Sequence, residues 1–297
     1  MPNNLNENNY FGYKNEYLIV DALNNKTYGQ VSKYWKENLT KMFGPLKYKD
    51  IIKCEKCDRY LKEDILITVR DVTKHVSIKI GTHITMHNES LESFVDFLGS
   101  LGISKRALNT LKLYHFGDGT LDGTGKTRLD VKGVKEKYAW RIKRFNHIVN
   151  KTKYLMPILK RILNGTPRQG GYVDYIYHGN KFKGDLISVA DLTKYNLLKD
   201  SSMIKSIHFG VFTYTPARRG LLETNADDEH RYYAAIKWPG MEIDFDKILK
   251  TYKNDTRWIY KNNFLINTSK SYFLLLKILR SNGIIYNNIR YKKVYIK

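Results

Sequence analysis

Charged residues on two otherwise apolar predicted strands are the first chemical signal in this sequence. Residues 64–69 are mostly β-branched or apolar, and residues 74–80 alternate strictly between apolar and polar types. A period of two is typical of β-strands. If residues 70–73 form a four-residue loop, the resulting hairpin places Asp64 opposite Lys79. The pattern therefore predicts one carboxylate and one ammonium side by side on a sheet.

This pairing depends on the register of the hairpin, which also places Leu66 opposite Ser77. A loop one residue longer or shorter would send Asp64 and Lys79 to opposite faces, because successive side chains of a strand alternate. The alternative interpretation is a surface ion pair, which stabilises a fold by only about 0–1 kcal/mol. The apolar neighbours favour a functional role, because burying charge in a sheet is costly.

The chemistry that suits such a pair is the hydrolysis of phosphodiesters. Mg²⁺ binds oxygen ligands, keeps several waters and lowers the pKa of a bound water. A neighbouring lysine can orient the attacking water and stabilise negative charge on the phosphate.

In these residues the sequence resembles the PD-(D/E)XK nucleases, especially the restriction endonucleases. Asp64 matches the first carboxylate of that family, and Lys79 matches the lysine of its D/E-x-K motif. The family usually has a Glu on its first helix, which Glu16 would supply. Ser77 departs from the family pattern, which has Asp or Glu there.

The resemblance implies a set of metal ligands. Glu89 is our candidate for the carboxylate that is missing at Ser77, and Asp64 would bind Mg²⁺ together with Glu89 and the backbone carbonyl of Ile78. The resemblance also implies a Mg²⁺-dependent DNA endonuclease of the type II restriction kind that acts on duplex DNA. A non-catalytic DNA-binding protein is the alternative, and Ser77 favours it. A homodimer stays open, because two-fold symmetric sites usually imply dimers.

The elements around the hairpin predict an α/β fold, with a mixed central sheet flanked by helices, an αβββαβ core and a β-rich C-terminal part. Residues 14–43 have helical spacing with Glu16 in the first turn, where the helix dipole also favours an acid. Residues 47–63 are expected to be irregular, a helix is expected to follow Asn88 as N-cap, and residues 113–116 are expected to form a strand. We expect residues 1–165 to form the nuclease core and 166–297 a DNA-recognition part, or both to form one domain.

The charge balance indicates a polyanionic partner. The 297 residues contain 51 Lys plus Arg against 29 Asp plus Glu, a net charge of +22. The longest apolar run, residues 272–276, is far too short to span a membrane. The N-terminus has no apolar signal core, so we expect a cytoplasmic protein that binds nucleic acid and no membrane.

Two basic segments are the predicted DNA contacts. Residues 126–144 hold eight Lys or Arg against two acids, with aromatic residues between them. Such a face is typical of phosphate contacts, and a solvated helix face is the alternative. A basic turn after residue 215 could read base edges or be solvated. The predicted contacts are Lys126, Arg128, Lys137, Arg141, Arg144, Arg218 and Arg219.

Two further motifs give weaker evidence of a function. Residues 117–127 (GDGTLDGTGKT) approach a phosphate loop, but Thr120 stands where that motif needs glycine, so a long turn or a close approach to DNA is favoured over an NTPase. Cys54 and Cys57 form one CxxC with no second half for a zinc ribbon. Reduced thiols are the preferred interpretation, and a metal at this pair is left open.

Overall fold

The computed structural model describes residues 7–58, 61–82, 84–125, 127–166, 172–217 and 229–261. The helices are α1 (Glu7–Leu23), α2 (Lys33–Phe43), α3 (Leu91–Ser100), α4 (Lys105–Phe116), α5 (Val131–Lys137), α6 (Ala139–Val149), α7 (Thr152–Asn164), α8 (Val189–Leu198) and α9 (Met241–Lys261). The strands are β1 (Lys26–Thr27), β2 (Ile51–Lys56), β3 (Ile65–Val69), β4 (Val72–Lys79), β5 (Ile84–Ser90), β6 (Tyr175–Gly179), β7 (Gly184–Ser188), β8 (His208–Phe209), β9 (Phe212–Pro216) and β10 (Tyr233–Trp238).

A six-stranded mixed sheet runs in the order β1-β2-β3-β4-β6-β7. Only β4 and β6 are parallel, and the other neighbours in this sheet are antiparallel. Parallel neighbours need a crossover, which here contains β5 and helices α3 to α7. The predicted α/β fold class, with a mixed sheet flanked by helices, is confirmed.

A second sheet, β5-β10-β9-β8, is antiparallel throughout. Strands from before and after residue 165 pair in both sheets, β4 with β6 and β5 with β10. The two parts expected from the sequence thus share both of their sheets. No helix in the described ranges is both long and apolar enough to cross a membrane.

Helices α1 and α2 cover one face of the six-stranded sheet. Alternate residues of β3 and β4, such as Ile65, Ile67 and Val76, pack there with Ile19 of α1 and Leu39 of α2. The period of two that predicted these strands is the cause, because it gives each strand one apolar face. Residues of the opposite parity, Asp64 among them, are left on the other face.

Several predicted element boundaries were wrong. The hairpin turn has two residues, Arg70 and Asp71, which both have positive φ. Such a turn matches the twist of the flanking strands, and Asp tolerates this conformation. Residues 47–63 contain β2, and residues 113–116 continue α4 until Gly117 ends it with a left-handed cap.

Candidate active site

The candidate site lies at one end of the six-stranded sheet, where β2 and β4 end and β3 begins. Ile65 pairs with Val76, and the Asp64 N–H donates to the Val76 carbonyl at 2.9 Å. Asp64 therefore lies beside Ser77 and not opposite Lys79, so the predicted register was wrong by two residues. A shift of two preserves the alternation of faces, and Asp64 and Lys79 still meet.

Three donors converge on one oxygen of the Asp64 carboxylate. Oδ2 accepts from Ser77 Oγ at 3.0 Å, from the Ile78 N–H at 2.5 Å and from Lys79 Nζ at 3.4 Å. The same ammonium donates to the Ile78 carbonyl at 3.0 Å. The side chains of Lys79 and Asp64 keep 18% and 22% of their surface exposed, so a ligand can reach them.

Ser77 is buried, and its hydroxyl holds the carboxylate of Asp64 in place. The position where the resembled family has an acid thus carries a neutral donor to the neighbouring acid. Of the paired positions 64 and 77, only Asp64 therefore supplies a carboxylate.

Glu16 of α1 is the carboxylate whose charge interacts with Asp64. Burial raises the pKa of Glu16, and the negative charge of Asp64 raises it further. An ion pair with Lys56 at the end of β2 opposes this shift. Glu16 lies in the middle of α1 and not in its first turn, so the helix dipole does not explain it. The neighbouring Asn15 donates to the Gly179 carbonyl at 2.8 Å and fixes α1 against the end of β6.

Glu89 lies elsewhere, as a buried residue of β5 in the second sheet. Its carboxylate pairs with Arg161 of α7, and accepts from Ser93 at 2.5 Å and from His87 at 2.9 Å if that ring nitrogen is protonated. Burial opposes ionisation, but these hydrogen bonds lower the pKa of Glu89 to about 2. Among the described contacts of Glu89, none joins it to Asp64 or Lys79.

Two lysines near the site were not anticipated. Lys56 pairs with Glu16, and Lys62 donates to the Met86 carbonyl. Burial, together with the positive charge of Lys79, lowers the pKa of Lys62 to about 7. Both lysines come from the segment expected to be irregular, and no spacing in the sequence ties either one to Asp64.

The donor set near Asp64 suits a hard cation. Its carboxylate and the Ile78 carbonyl already contact one positive charge, the ammonium of Lys79, and the charge of Glu16 interacts with that of Asp64. Within the described ranges, no three His, Cys, Asp or Glu residues form a group that could hold a metal. A cation here would therefore need water ligands, which Mg²⁺ typically keeps.

The cysteine pair does not offer thiolates. Cys54 is buried and Cys57 partly buried, and both are free thiols. Burial raises the pKa of each to about 12. Both thiols are therefore protonated at neutral pH in the metal-free protein.

The predicted DNA contacts divide into three groups. Lys137, Arg141 and Arg144 are exposed on α5 and α6, and Arg141 and Arg144 line a groove with Arg106 and Trp140. The guanidinium of Arg144 lies 5.5 Å from the centre of the Trp140 ring.

Arg128 is in the second group, because its side chain is buried. Its Nε donates to the Phe116 carbonyl at 2.8 Å and its Nη2 to the His115 carbonyl at 3.2 Å. The prediction that Arg128 contacts DNA does not fit this placement, because the guanidinium is used to hold the start of the glycine-rich segment. The third group, Lys126, Arg218 and Arg219, lies outside the described residues.

The glycine-rich segment is a turn organised around the carboxylate of Asp118. That carboxylate accepts from the Thr120 N–H at 2.9 Å and the Gly125 N–H at 3.2 Å, and pairs with the buried Arg231 at 3.3 Å. These backbone amides therefore bind the protein's own carboxylate, as the long-turn interpretation expects.

No family model matches this sequence, and no curated protein matches it either. Among solved structures, the chain is similar to the restriction endonuclease MspI in complex with its cognate DNA. The TM-score is 0.49 and the identity 13%, over 76% of this chain and 87% of that one. The chemistry of the site is judged from the chain's own residues.

Proposed function

We propose that this protein is a Mg²⁺-dependent endonuclease that hydrolyses phosphodiester bonds in duplex DNA, as type II restriction enzymes do. The observation that carries the proposal is the contact of one ammonium, Lys79, with both the Asp64 carboxylate and the Ile78 carbonyl at an accessible end of the sheet. Two oxygen donors and a lysine are the groups that this hydrolysis needs.

Asp64 and the Ile78 carbonyl would hold the metal, with Glu16 as the second carboxylate in preference to Glu89. Bound there, Mg²⁺ would neutralise charge on the phosphate and acidify a water. Glu16 is preferred because its charge interacts with that of Asp64, whereas no described contact joins Glu89 to Asp64 or Lys79.

The chain's own groups divide the remaining work. The Ser77 hydroxyl and the Ile78 N–H keep the Asp64 carboxylate from rotating. The Lys79 ammonium orients the attacking water and stabilises negative charge on the phosphate. Exposed cations on α5 and α6, including Arg141 and Arg144, contact phosphates along the duplex without reading its sequence.

A plasmid assay tests the proposal. Supercoiled plasmid is incubated with the protein in Mg²⁺, in Mn²⁺ and in EDTA, and the products are separated by electrophoresis. Discrete linear fragments with Mg²⁺ and intact plasmid with EDTA are expected. Plasmids that stay intact with Mg²⁺ and with Mn²⁺, over a panel of different sequences, would contradict the proposal.

The second candidate is a DNA-binding protein without catalysis, which Ser77 favours because it removes one expected carboxylate. Such a protein would retard labelled duplex in a gel and leave it uncut under every metal. Retardation without cleavage, on duplexes of several sequences, would therefore replace the first candidate with the second.

A further inference from the structure

The turn between β6 and β7 presents an aromatic side chain between two lysines. Phe182 is 75% exposed, and Lys181 and Lys183 flank it in the chain. The Lys181 ammonium lies 4.9 Å from the centre of the Phe182 ring. A single exposed aromatic residue is ordinary on a protein surface. The structure of the turn and its place in the sheet make this one informative.

The turn is held rigidly. The Asn180 side chain accepts from the Phe182 N–H at 2.9 Å, and the Asn180 carbonyl accepts from the Tyr177 hydroxyl at 2.6 Å. The Trp35 indole of α2 donates to the Lys181 carbonyl at 2.9 Å. Phe182 is therefore presented on a fixed backbone, which lowers the entropic cost of making a contact.

The turn emerges beside the candidate active site. His178 of β6 is the register partner of Lys79. Its Nε2 atom lies 2.9 Å from the carbonyl oxygen of Gly81. Gly179, where the turn begins, accepts from Asn15, the neighbour of Glu16 on α1. The turn thus follows directly from the strand that adjoins Lys79.

We propose that this turn contacts duplex DNA next to the bond that is cut, an inference that rests on the proposed function. Phe182 would insert its ring into a groove as an apolar wedge, as Phe does in some DNA-binding proteins. Lys181 and Lys183 would contact the phosphates on either side.

The test measures binding apart from cleavage. Affinity for a fluorescein-labelled duplex of mixed sequence is followed by anisotropy in EDTA over a range of salt concentrations. The variants are Phe182→Ala and the double variant Lys181→Ala/Lys183→Ala. Met203→Ala is the control for Phe182, because Met203 is 86% exposed and lies outside the turn.

The two variants should weaken DNA binding in different ways. Phe182→Ala should weaken binding about ten-fold with an unchanged salt dependence, because it removes an apolar contact. The double lysine variant should make the slope of log affinity against log salt less negative by about two, because two phosphate contacts are lost. Met203→Ala should match the parent, and all melting temperatures should stay close to the parental one.

Parental affinity for Phe182→Ala, or a parental salt slope for the double lysine variant, would overturn this inference. If the parent cleaves DNA while both variants bind as it does, only the inference about the turn fails. If the parent cuts no duplex but the variants lose binding as expected, the proposed function fails and the turn stands as a DNA contact.

Discussion

Glu89→Gln should destabilise the fold without removing a group from the active site. Glu89 and Arg161 form an ion pair with 5% and 11% of their side-chain surfaces exposed. The pKa of Glu89 falls from 4.5 to about 2 in the fold. At about 1.4 kcal/mol per pKa unit, the charged form stabilises the fold by about 3 kcal/mol. That agrees with the loss of about 3–5 kcal/mol when one partner of a buried pair is removed.

The pH dependence of this contribution has a definite sign. Because the pKa of Glu89 is depressed in the folded state, its contribution is fully present above pH 4.5. It is lost as the pH falls from there toward about 2. The difference in unfolding free energy between parent and Glu89→Gln should therefore shrink over that interval.

Urea denaturation at pH 7 and at several lower pH values measures this difference. Glu92→Gln is the matched control, because Glu92 is the exposed acid in the first turn of the adjacent α3. The control should lose at most about 0.3–1 kcal/mol, which is the contribution of an exposed acid in the first turn of a helix. Equal stability of Glu89→Gln and parent at pH 7, together with loss of DNA cleavage, would refute the structural role and return Glu89 to the metal site.

Three further predictions concern the candidate site and the basic surface. Glu16→Gln should unfold no more easily than the parent at neutral pH. The pKa of Glu16 is raised in the fold, so its negative charge reduces stability as the pH rises through that pKa. The cleavage rate of this variant should fall about 100-fold in single-turnover assays, and a parental rate would exclude Glu16 as a metal ligand. Ser77→Ala removes a 3.0 Å hydrogen bond to Asp64. Because such a bond contributes about 1 kcal/mol, cleavage should slow about five-fold. Complete inactivity would show that Ser77 does more than orient the carboxylate. Arg141→Ala/Arg144→Ala should weaken binding about equally on all duplex sequences and make the slope of log affinity against log salt less negative by about two. A change in sequence preference would contradict the assignment to phosphates.

The strand hairpin at the site was predictable, but its register was only partly so. Alternation between residues 74 and 80 identifies β4, because one face of the strand is apolar. The turn length was not evident, because Arg70-Asp71 lacks the glycine that usually marks a two-residue turn. Asp64 and Lys79 still meet, because the error was an even number of residues.

The second carboxylate could not be chosen from the sequence. Asn88 and Ser90 are both good N-caps, and the structure uses Ser90, which places Glu89 in β5. The pairing of Glu89 with Arg161 joins residues 72 positions apart, and no local pattern encodes it. Arg128 failed as a predicted DNA contact for a similar reason, since the fold buries it against carbonyls of α4.

Lys79→Ala tests the central claim most directly, with DNA affinity in EDTA, melting temperature and single-turnover cleavage in Mg²⁺ measured on one preparation. Lys247→Ala, the loss of an exposed lysine of α9, controls for the change in net charge. We expect Lys79→Ala to fold and bind as the parent does and to cleave about 10²–10⁴-fold more slowly, because Lys79 acts on the reacting groups. Cleavage at the parental rate would contradict the claim and reduce Asp64 and Lys79 to an ion pair.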